Sequence, residues 1–343
     1  MVYSPSRKMR VAVVILNWNG KSFLDKFLPS VIKYSTTATV YVADNASTDD
    51  SVEFVVSNFP QVKIIKTGAN LGFAGGYNKA LETLEEDLFV LLNSDVEVTE
   101  NWLDSIVELF KSDETVAACQ PKILSYNNKD YFEYAGAAGG YIDRLGYPFC
   151  RGRIFDSLEI DNGQYDSVKE IFWATGACLF VRKTVYQELG GLDADFFAHM
   201  EEIDLCWRIK RSGYKIMVAP KSVVYHVGGG TLSKSNPHKT FLNFRNGLEL
   251  LAKNLSENEL WRKIFVRLLW DGLAAFKFLL DGKPKDFAAV LKAHFAFYKR
   301  LRKTLSKRSG NYDSVSEQYK GNIVIDHFLK RQNRFSDLSG DKF

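Results

Sequence analysis

The chain of 343 residues is predicted to fold as an α/β protein, with a mixed, mostly parallel sheet flanked by helices. Residues 1–120 alternate between short apolar runs and helix-like segments, which is typical of right-handed βαβ units. Residues 88–92 form an uninterrupted apolar run, as in a strand buried on both faces of a sheet. Hydrophobic residues make up 46% of the chain, enough for a sizeable core.

The hydrophobic pattern assigns most elements in order. Strands are predicted at residues 11–16, 39–43, 62–65, 88–92, 177–181 and 222–226. Helices are predicted at 22–34, from 47 onwards, and at 74–86, 100–111, 183–189 and 200–212. Ser47 or Thr48 would cap the second helix, which has acidic residues in its first turn. Residues 121–170 lack periodicity and predict irregular loops with short strands.

The domain organisation is predicted from a change of character near residue 230. We expect a catalytic domain over 1–235, with halves meeting near residue 120 and a glycine-rich joint at 228–231. An amphipathic helical region over 236–310 and a loosely held polar tail over 311–343 follow. Segment 283–308 has nine basic residues and one acid. Two interpretations of these helices stay open: a subdomain that packs on the core and mediates a homodimer, or contact with an anionic membrane.

Composition excludes several classes of protein. The net charge of +4 is too small to predict a nucleic-acid partner. The four cysteines form no CxxC motif, so a zinc cluster is not expected, and a reducing, cytoplasmic setting fits best. The apolar runs fall short of the roughly 18 residues that a membrane span needs, so no span is expected.

Polar clusters follow three of the predicted strands, at residues 17–20, 44–49 and 93–95. The carboxyl ends of parallel strands meet at one edge of a sheet, where ligands bind in such folds. Ordinary turn chemistry uses the same residue types. Three clusters together favour a ligand site, and Asp95 there suggests a divalent cation that holds a diphosphate.

A glycine-rich segment at residues 70–78 opens the third helix. Its spacing is neither GxGxxG nor a Walker loop, so a dinucleotide-dependent oxidoreductase is a poor hypothesis. Glycines here would let the backbone approach a ligand closely, or would simply form a tight turn.

Residues 193–208 contain five acids among apolar neighbours. Glu201 and Asp204 share a helical face, and Glu202 points about 100° away. An apolar setting raises a carboxylate's pKa and makes it a candidate general base, whereas acids at a helix start also simply complement the dipole. His226 follows a predicted strand and precedes three glycines, which makes it a candidate metal ligand.

Taken in order, these strings resemble the family 2 inverting glycosyltransferases of GT-A fold, and among them the rhamnosyltransferase-like enzymes of bacterial surface polysaccharide synthesis. The resemblance covers roughly residues 10–230. It is carried by residues 14–20, 44–49, 70–78, 91–95, 176–182 and 201–208.

The resemblance implies roles for individual residues. Asp44 would accept a hydrogen bond from the imide of a uracil or thymine base. Asp95 and His226 would bind Mg²⁺ or Mn²⁺, and Glu202 would be the catalytic base, with Glu201 and Asp204 as alternatives. The other nucleotide-sugar contacts would come from Asn17, Asn19, Asn45, Gly72, Gly75, Asn78, Asn93 and Ser94. Trp173 and Gly176 would lie on the acceptor side.

The implied activity is metal-assisted, inverting transfer of a sugar from a dTDP- or UDP-sugar. Rhamnose is the expected sugar, and the acceptor is a hydroxyl of a glycan or lipid-linked saccharide. Asn93 stands where the family usually has an acid, and Glu202 where an aspartate is commoner. These departures keep open a catalytically weak sugar-nucleotide-binding or assembly protein of the same fold. The expected location is cytoplasmic, at the inner face of the cytoplasmic membrane if the helical region binds lipid.

Overall fold

The computed structural model describes residues 8–228, 236–312 and 315–343. Most of the predicted joint at 228–231, and the polar segment just after it, lie outside these residues. The described strands are β1 Val11–Asn17, β2 Thr39–Asp44, β3 Lys63–Lys66, β4 Leu88–Asn93, β5 Val96–Val98, β6 Val116–Ser125, β7 Gly140–Asp143, β8 Pro148–Cys150, β9 Arg153–Ile154, β10 Ser157–Leu158, β11 Lys169–Glu170, β12 Cys178–Arg182, β13 Lys215–His226 and β14 Gln318–Tyr319.

The helices surround the larger sheet and continue into the C-terminal region. They are α1 Lys21–Tyr34, α2 Ser51–Asn58, α3 Gly72–Leu81, α4 Asp104–Ser112, α5 Lys183–Glu188, α6 Glu201–Arg211, α7 Pro237–Asn254, α8 Glu257–Leu280, α9 Pro284–Ser306 and α10 Ile323–Phe328. Among the described residues, no helix combines the length and apolar character needed to cross a membrane.

The larger sheet has the strand order β11-β13-β6-β12-β4-β1-β2-β3, and β5 pairs with β13. β1 is parallel to β2 and β4, β2 is parallel to β3, and β6 is parallel to β13. β12 runs antiparallel between β4 and β6. This arrangement confirms the predicted mixed, mostly parallel sheet with flanking helices.

Both faces of the sheet are covered, as the apolar strands predict. Along β1, Ala12 and Val14 belong to one hydrophobic cluster, whereas Val13 and Ile15 belong to the other. Successive side chains of a strand point to opposite faces, so an all-apolar strand needs a core on each side.

Two long strands were not predicted at their full length. β6 begins where only a helix and irregular loops were expected, and β13 has 12 residues where the prediction began at 222. Each contains a proline, Pro121 or Pro220, which donates no ladder hydrogen bond and argues against a central strand. In β13 the pairing with β6 becomes irregular between Ala219 and Val223, which accommodates Pro220.

Residues 121–170 contribute most of a second, five-stranded sheet with the order β10-β9-β8-β7-β14. Its last strand comes from the C-terminal tail, so the expectation of a loosely held tail over 311–343 was wrong for the described residues 315–343. Tyr319 is fully buried, and the rings of Phe335 and Phe343 lie 5.1 and 5.2 Å from that of Tyr141. Aromatic residues spaced along a polar tail suffice to dock it.

Candidate active site

The structure brings the three polar clusters to one edge of the larger sheet. Asn17, the last residue of β1, pairs with Asp44 at the end of β2. Leu16 pairs with Asn93 at the end of β4. The backbone N–H of Asn93 donates to the carbonyl of Ala177 at 3.0 Å, which places the turn before β12 at the same edge.

Asn17 and Asn19 hold the first two loops together. The Asn17 amide, fully buried, donates to the hydroxyls of Ser51 at 2.9 Å and Ser47 at 3.1 Å. The Asn19 Oδ1 accepts a hydrogen bond from the backbone N–H of Thr48 at 2.7 Å. Both side chains therefore shape the loops at 17–20 and 44–49.

We call this edge of the larger sheet, with its three polar clusters, the crevice. Asp44 lies there at the end of β2, and one of its two carboxylate oxygens has a hydrogen-bond partner. Its Oδ1 accepts a hydrogen bond from the backbone N–H of Ser47 at 3.2 Å. Its other oxygen accepts no hydrogen bond from any residue that the structure describes. A nearly buried carboxylate with a spare acceptor suits recognition of an N–H group on a ligand.

Asn45, which was expected near the nucleotide, is committed to the protein. Its amide donates to Asn70 Oδ1 and to the Gly72 carbonyl, both at 3.1 Å. Its Oδ1 accepts from Leu71 N–H at 3.1 Å and Thr67 Oγ1 at 3.2 Å. Since these contacts use its hydrogen-bonding groups, Asn45 fixes the turn at 67–72.

The glycines of the 70–78 segment lie against other parts of the protein. Gly72 has φ +70°, and a Cβ there would lie 2.7 Å from the Phe197 ring and 2.8 Å from the Phe197 carbonyl oxygen. A Cβ at Gly75 would meet Leu71 at 2.9 Å and Ala194 at 3.9 Å. The turn is therefore glycine-rich because the loop before α6 packs against it.

Replacing Gly72 by Ala should lower the free energy of unfolding more than replacing Gly282 by Ala. Both glycines have φ near +70°, but nothing lies within 4 Å of a Cβ at Gly282. The conformational cost is about 1–2 kcal/mol at both positions, and the clash with Phe197 adds about 1–3 kcal/mol at Gly72. Urea denaturation of the two variants measures this difference, and equal losses would contradict the close approach.

Asn78 and Trp173 also have hydrogen-bond partners within the protein. The Asn78 Oδ1 accepts hydrogen bonds from Tyr186 Oη at 2.6 Å and Leu192 N–H at 2.9 Å. The Trp173 Nε1 donates to the Tyr141 carbonyl at 2.9 Å, and its side chain is buried. Their hydrogen-bonding groups are used inside the core, so neither presents a group to the crevice.

Asp95 and His226 meet at the crevice although 131 residues separate them. The Asp95 Oδ1 lies 3.1 Å from His226 Nε2, and both side chains are nearly buried. Glu133 Oε2 lies 3.2 Å from the other ring nitrogen of His226. Burial opposes a charged imidazole, but the hydrogen bonds to Asp95 and Glu133 raise the pKa of His226 to about 10.

Asn93 and Ser94 flank this pair. The Asn93 amide is 3.5 Å from His226 Nε2, a long contact. Ser94 Oγ lies on the side of Gly20, 3.7 Å from where a Cβ at Gly20 would stand. The crevice therefore has polar side chains on both sides of Asp95.

These residues fit a divalent cation that also binds substrate oxygens. An imidazole whose second nitrogen faces a carboxylate is the usual arrangement of a metal-binding histidine, and Glu133 supplies that carboxylate. Within 8–228, 236–312 and 315–343, no three His, Cys, Asp or Glu side chains form a group that could hold a metal ion alone. Mg²⁺ and similar ions can bind with only one or two protein ligands, because waters and substrate phosphates fill their other coordination positions.

The loop that leads into α6 has an unusual backbone. Phe197, His199 and Met200 all have positive φ, of 66°, 69° and 75°. Non-glycine residues hold such a conformation only where their surroundings impose it. The buried Asn246 of α7 does so, because its Nδ2 contacts the carbonyl oxygens of Phe196, Ala198 and His199 at 2.7–3.1 Å.

Replacing Asn246 by Ala should destabilise the protein by about 1–3 kcal/mol, because carbonyl groups lose their buried donor. The measurement is the free energy of unfolding in urea. Asn258, exposed on α8, is the matched control, and its replacement by Ala should change little. A loss for Asn246 no larger than that for Asn258 would show that α7 does not hold the loop.

Glu201 and Glu202 follow this loop at the start of α6. One carboxylate oxygen of each is buried without a hydrogen-bond partner among the described residues. Burial raises the pKa of Glu202 to about 7 and, together with the charge of Glu202, raises that of Glu201 well above its ordinary value. Glu202 lies beside Gly176, where a Cβ would be 3.8 Å from that of Glu202.

Asp204, the third acid considered as a base, is held in ion pairs. Its Oδ2 lies 2.9 Å from Arg208 Nε and 2.8 Å from Lys253 Nζ, and its Oδ1 accepts from the Asn254 amide at 2.9 Å. Burial opposes its charge, but Arg208 and Lys253 hold the pKa of Asp204 below its ordinary value. A paired carboxylate of lowered pKa is a poor proton acceptor, so Asp204 anchors α6 to α7.

Several site residues were missed by the sequence analysis. Glu133 lies in the irregular segment, where no spacing marks it. The polar residues of α7 did leave a signal: Asn246 and Lys253 are seven apart and are therefore on one face of the helix. Burial raises the pKa of the Cys150 thiol, Arg153 opposes this, and the charges of Glu133 and Glu202 raise it further, as expected for two acids that both lie near Cys150.

Comparisons with known proteins agree with this geometry. The N-acetylglucosaminyl-diphospho-decaprenol L-rhamnosyltransferase of Mycobacterium tuberculosis is 27% identical over 233 residues, which are 62% of this chain and 75% of that protein. The low-salt glycan biosynthesis hexosyltransferase Agl10 of Haloferax volcanii is 21% identical over 271 residues, 77% of this chain and 80% of that protein.

Solved structures share the fold. GalNAc-T7, crystallised with UDP, GalNAc and Mn²⁺, superposes with a TM-score of 0.59 at 15% identity. The match covers 90% of this chain and 60% of that one. The mannosyltransferase PcManGT of Pyrobaculum calidifontis, solved with GDP-Man and Mn²⁺, has a TM-score of 0.51 at 15% identity, with 88% and 85% coverage.

A family model decides the assignment. The model of glycosyl transferase family 2 matches residues 12–190, more than half of the chain, and this span includes β1 to β4 with the clusters at their ends. The chain therefore belongs to glycosyl transferase family 2 and is a rhamnosyltransferase-like glycosyltransferase.

Proposed function

We propose that this glycosyltransferase moves a sugar, with inversion, from a dTDP- or UDP-sugar to a hydroxyl of a glycan or lipid-linked saccharide. The observation that carries the proposal is that one chain combines two kinds of group, a carboxylate–imidazole pair and an acid of raised pKa. Asp95 and His226 lie 3.1 Å apart at the sheet edge, and Glu202 in the other half has a pKa raised to about 7. Rhamnose is the favoured sugar because a relative is an L-rhamnosyltransferase.

The first half of the chain would hold the donor. The loops at 17–20 and 44–49, locked together by Asn17 and Asn19, form the floor of the crevice. The spare oxygen of Asp44 would accept a hydrogen bond from the imide N–H of a uracil or thymine base. Asp95 and His226 would hold Mg²⁺ or Mn²⁺, which neutralises the negative charge that develops on a leaving diphosphate.

Glu202 would accept the proton of the acceptor hydroxyl. As that proton leaves, the hydroxyl oxygen bonds to the anomeric carbon, and the bond from this carbon to the diphosphate oxygen breaks. The nucleoside diphosphate takes the electron pair and departs. A single displacement inverts the anomeric centre and needs one base, in contrast to the two carboxylates of a glycosidase.

The pH dependence of kcat/KM should follow the titration of Glu202. Its pKa in the free enzyme is raised to about 7, so the fraction of the basic form rises with pH through that value. Below pH 7 we expect kcat/KM to fall about tenfold per pH unit, as for any single required base. Steady-state rates between pH 5 and 9 test this, and a midpoint near the ordinary pKa of glutamate would assign the base to an exposed group.

The activity is tested directly with purified protein, Mn²⁺ and a panel of dTDP- and UDP-sugars. Release of nucleoside diphosphate that needs a saccharide acceptor is the expected result. Donor binding is followed separately by thermal shift, because a bound ligand raises the melting temperature. A metal-dependent thermal shift without turnover, over a wide set of acceptors, would favour a sugar-nucleotide-binding protein.

We also propose a reducing, cytoplasmic location. All four cysteines are free and buried, as is usual in proteins that never meet an oxidising compartment. Cell fractionation checks this. Recovery of the protein from a periplasmic or secreted fraction would contradict it.

A further inference from the structure

The longest helix, α8, is apolar on two sides. Its inner side buries Leu260, Ile264 and Ala275 against the rest of the protein. Its outer side carries a second apolar row that no described residue covers. The members of that row, spaced by three or four residues, are Trp261, Phe265, Leu269, Leu273, Phe276 and Leu280. Phe265 and Leu273 are each 63% exposed, whereas an ordinary surface helix has polar residues on this side.

α9 extends this surface. Its inner side buries Val290, Ala293 and Phe297, and its outer side exposes Leu291, Phe295 and Tyr298. Phe295 is 77% exposed. We call the two outer rows together the apolar face. Five of its nine members are aromatic, which is the composition of helices that lie in the interface of a lipid bilayer.

A row of basic residues borders the apolar face on α9. Lys285, Lys292 and Lys299 are spaced by seven residues, so they lie along one side of the helix next to Leu291 and Phe295. All three are exposed and form no ion pair with any described residue. Arg302 continues the apolar row of α9 itself and is likewise exposed and unpaired within that part of the chain.

We propose that the apolar face and its basic border bind an anionic lipid surface. Lys and Arg beside exposed aromatic residues complement both the headgroup charge and the acyl chains of such a membrane. A second copy of the chain fits less well, because a symmetric contact places each surface against itself. Both basic borders would then lie around the same contact without acidic partners from the apolar face, and like charges at an interface are unfavourable.

The C-terminal part of α9 contacts the loop that precedes Glu202. Arg300 Nη2 donates to the Asp195 carbonyl at 2.8 Å, and Lys303 Nζ lies 2.7 Å from Asp195 Oδ2. Lys307 contacts Asp193 and Asp195. A membrane-bound α9 would therefore orient the site relative to lipid-linked acceptors. This benefit to catalysis rests on the proposed function, whereas lipid binding does not.

The test is co-sedimentation with vesicles of equal parts phosphatidylglycerol and phosphatidylcholine, compared with phosphatidylcholine alone. We expect binding to the anionic vesicles only, weakened by high salt as charge screening requires. The double variant L273E/F295E should lose at least about tenfold in affinity, since it removes two exposed apolar side chains that the proposed contact buries in the bilayer. The variant K292E/K299E should lose at least about tenfold as well, at roughly 1 kcal/mol or more per lysine.

Matched controls carry the same changes elsewhere. V56E/V168E replaces two exposed apolar residues, and K111E/K221E reverses two exposed lysines, all outside α8 and α9. Both should bind the anionic vesicles as the wild type does. Circular dichroism and thermal melting establish that all the variants are folded.

Two results would overturn the proposal. One is wild-type protein that stays in the supernatant with anionic vesicles, or variants of the apolar face that bind like the controls. The other is a dimer in light scattering that L273E/F295E dissociates while vesicle binding is unchanged, which would assign the face to a second copy. Because nucleotide release is assayed without vesicles, failure here leaves the proposed function intact.

Discussion

Replacing Glu202 by Gln is expected to lower the rate of sugar transfer by about 10²–10⁴-fold, the usual contribution of a general base. Gln keeps the size of the side chain but cannot accept the acceptor's proton. Glu202 is the acid whose position combines a pKa of about 7, a place beside Gly176 and a carboxylate oxygen that the described residues leave free. The donor should bind as before, because Glu202 lies on the opposite half of the site from Asp44.

The matched control is Glu201→Gln, an identical change at the adjacent residue. Glu201 is nearly fully buried, whereas Glu202 is only partly buried, so an acceptor hydroxyl reaches the carboxylate of Glu201 less readily. Its replacement should reduce the rate by less than about tenfold. Single-turnover rates give the chemical step, and thermal shift with the nucleoside diphosphate gives binding. An active Glu202→Gln enzyme beside an inactive Glu201→Gln enzyme would transfer the role to Glu201.

The acid pair also affects stability. A carboxyl whose pKa is higher in the folded state than its ordinary value of about 4.5 binds its proton more tightly when folded. The free energy of unfolding therefore falls as pH rises from about 4.5 to 7. Over this range the carboxyl ionises readily in the unfolded chain but stays protonated longer in the folded protein. This cost belongs to the site itself and is removed in Glu202→Gln, which should be at least as stable as the wild type at pH 8.

The sequence predicted the sheet where the strands are simple. β1 and β4 are continuous apolar runs with polar residues directly after them, and both the strands and their common edge follow from that pattern. β6 and β13 were incomplete because Pro121 and Pro220 look like breaks. A proline interrupts a strand only where a neighbouring strand would accept a hydrogen bond from the backbone N–H at that position. Which positions these are depends on pairing between segments that are distant in the sequence.

The candidate site shows the same limit at the level of side chains. Gly72 could have approached a ligand or another part of the chain, and the sequence is the same in both cases. The structure has Phe197 at that place, 125 positions later in the chain. Likewise Asn45 and Asn78 are residue types that ligand sites use, but their partners are protein groups. Residue type and spacing identify candidates, whereas long-range packing decides which of them stay available.

Asp95→Asn should nearly abolish metal-dependent activity. The amide keeps the shape of the side chain but removes the negative charge that faces His226 at the sheet edge. With Asn93 already neutral, Asp95 is the charged carboxylate of the 93–95 cluster, so the cation loses most of its electrostatic attraction. Loss of several kcal/mol of charge stabilisation corresponds to a rate decrease of about 10²–10³-fold or more.

Mn²⁺ affinity supplies a readout that does not depend on turnover. Mn²⁺ binding is measured by electron paramagnetic resonance in a titration with nucleoside diphosphate present. Asp95→Asn should weaken Mn²⁺ binding by about 100-fold or more. Glu133→Gln should weaken it by about tenfold, the usual effect of removing the partner of a ligating histidine. Glu97→Gln is the matched control, because Glu97 is two residues after Asp95, in β5, but pairs with Lys129. Unchanged Mn²⁺ binding in Asp95→Asn would contradict a cation site at Asp95 and His226. EDTA, which removes divalent cations, should stop sugar transfer by the wild type. Activity that survives EDTA would mean that protein groups alone stabilise the charge on the leaving diphosphate.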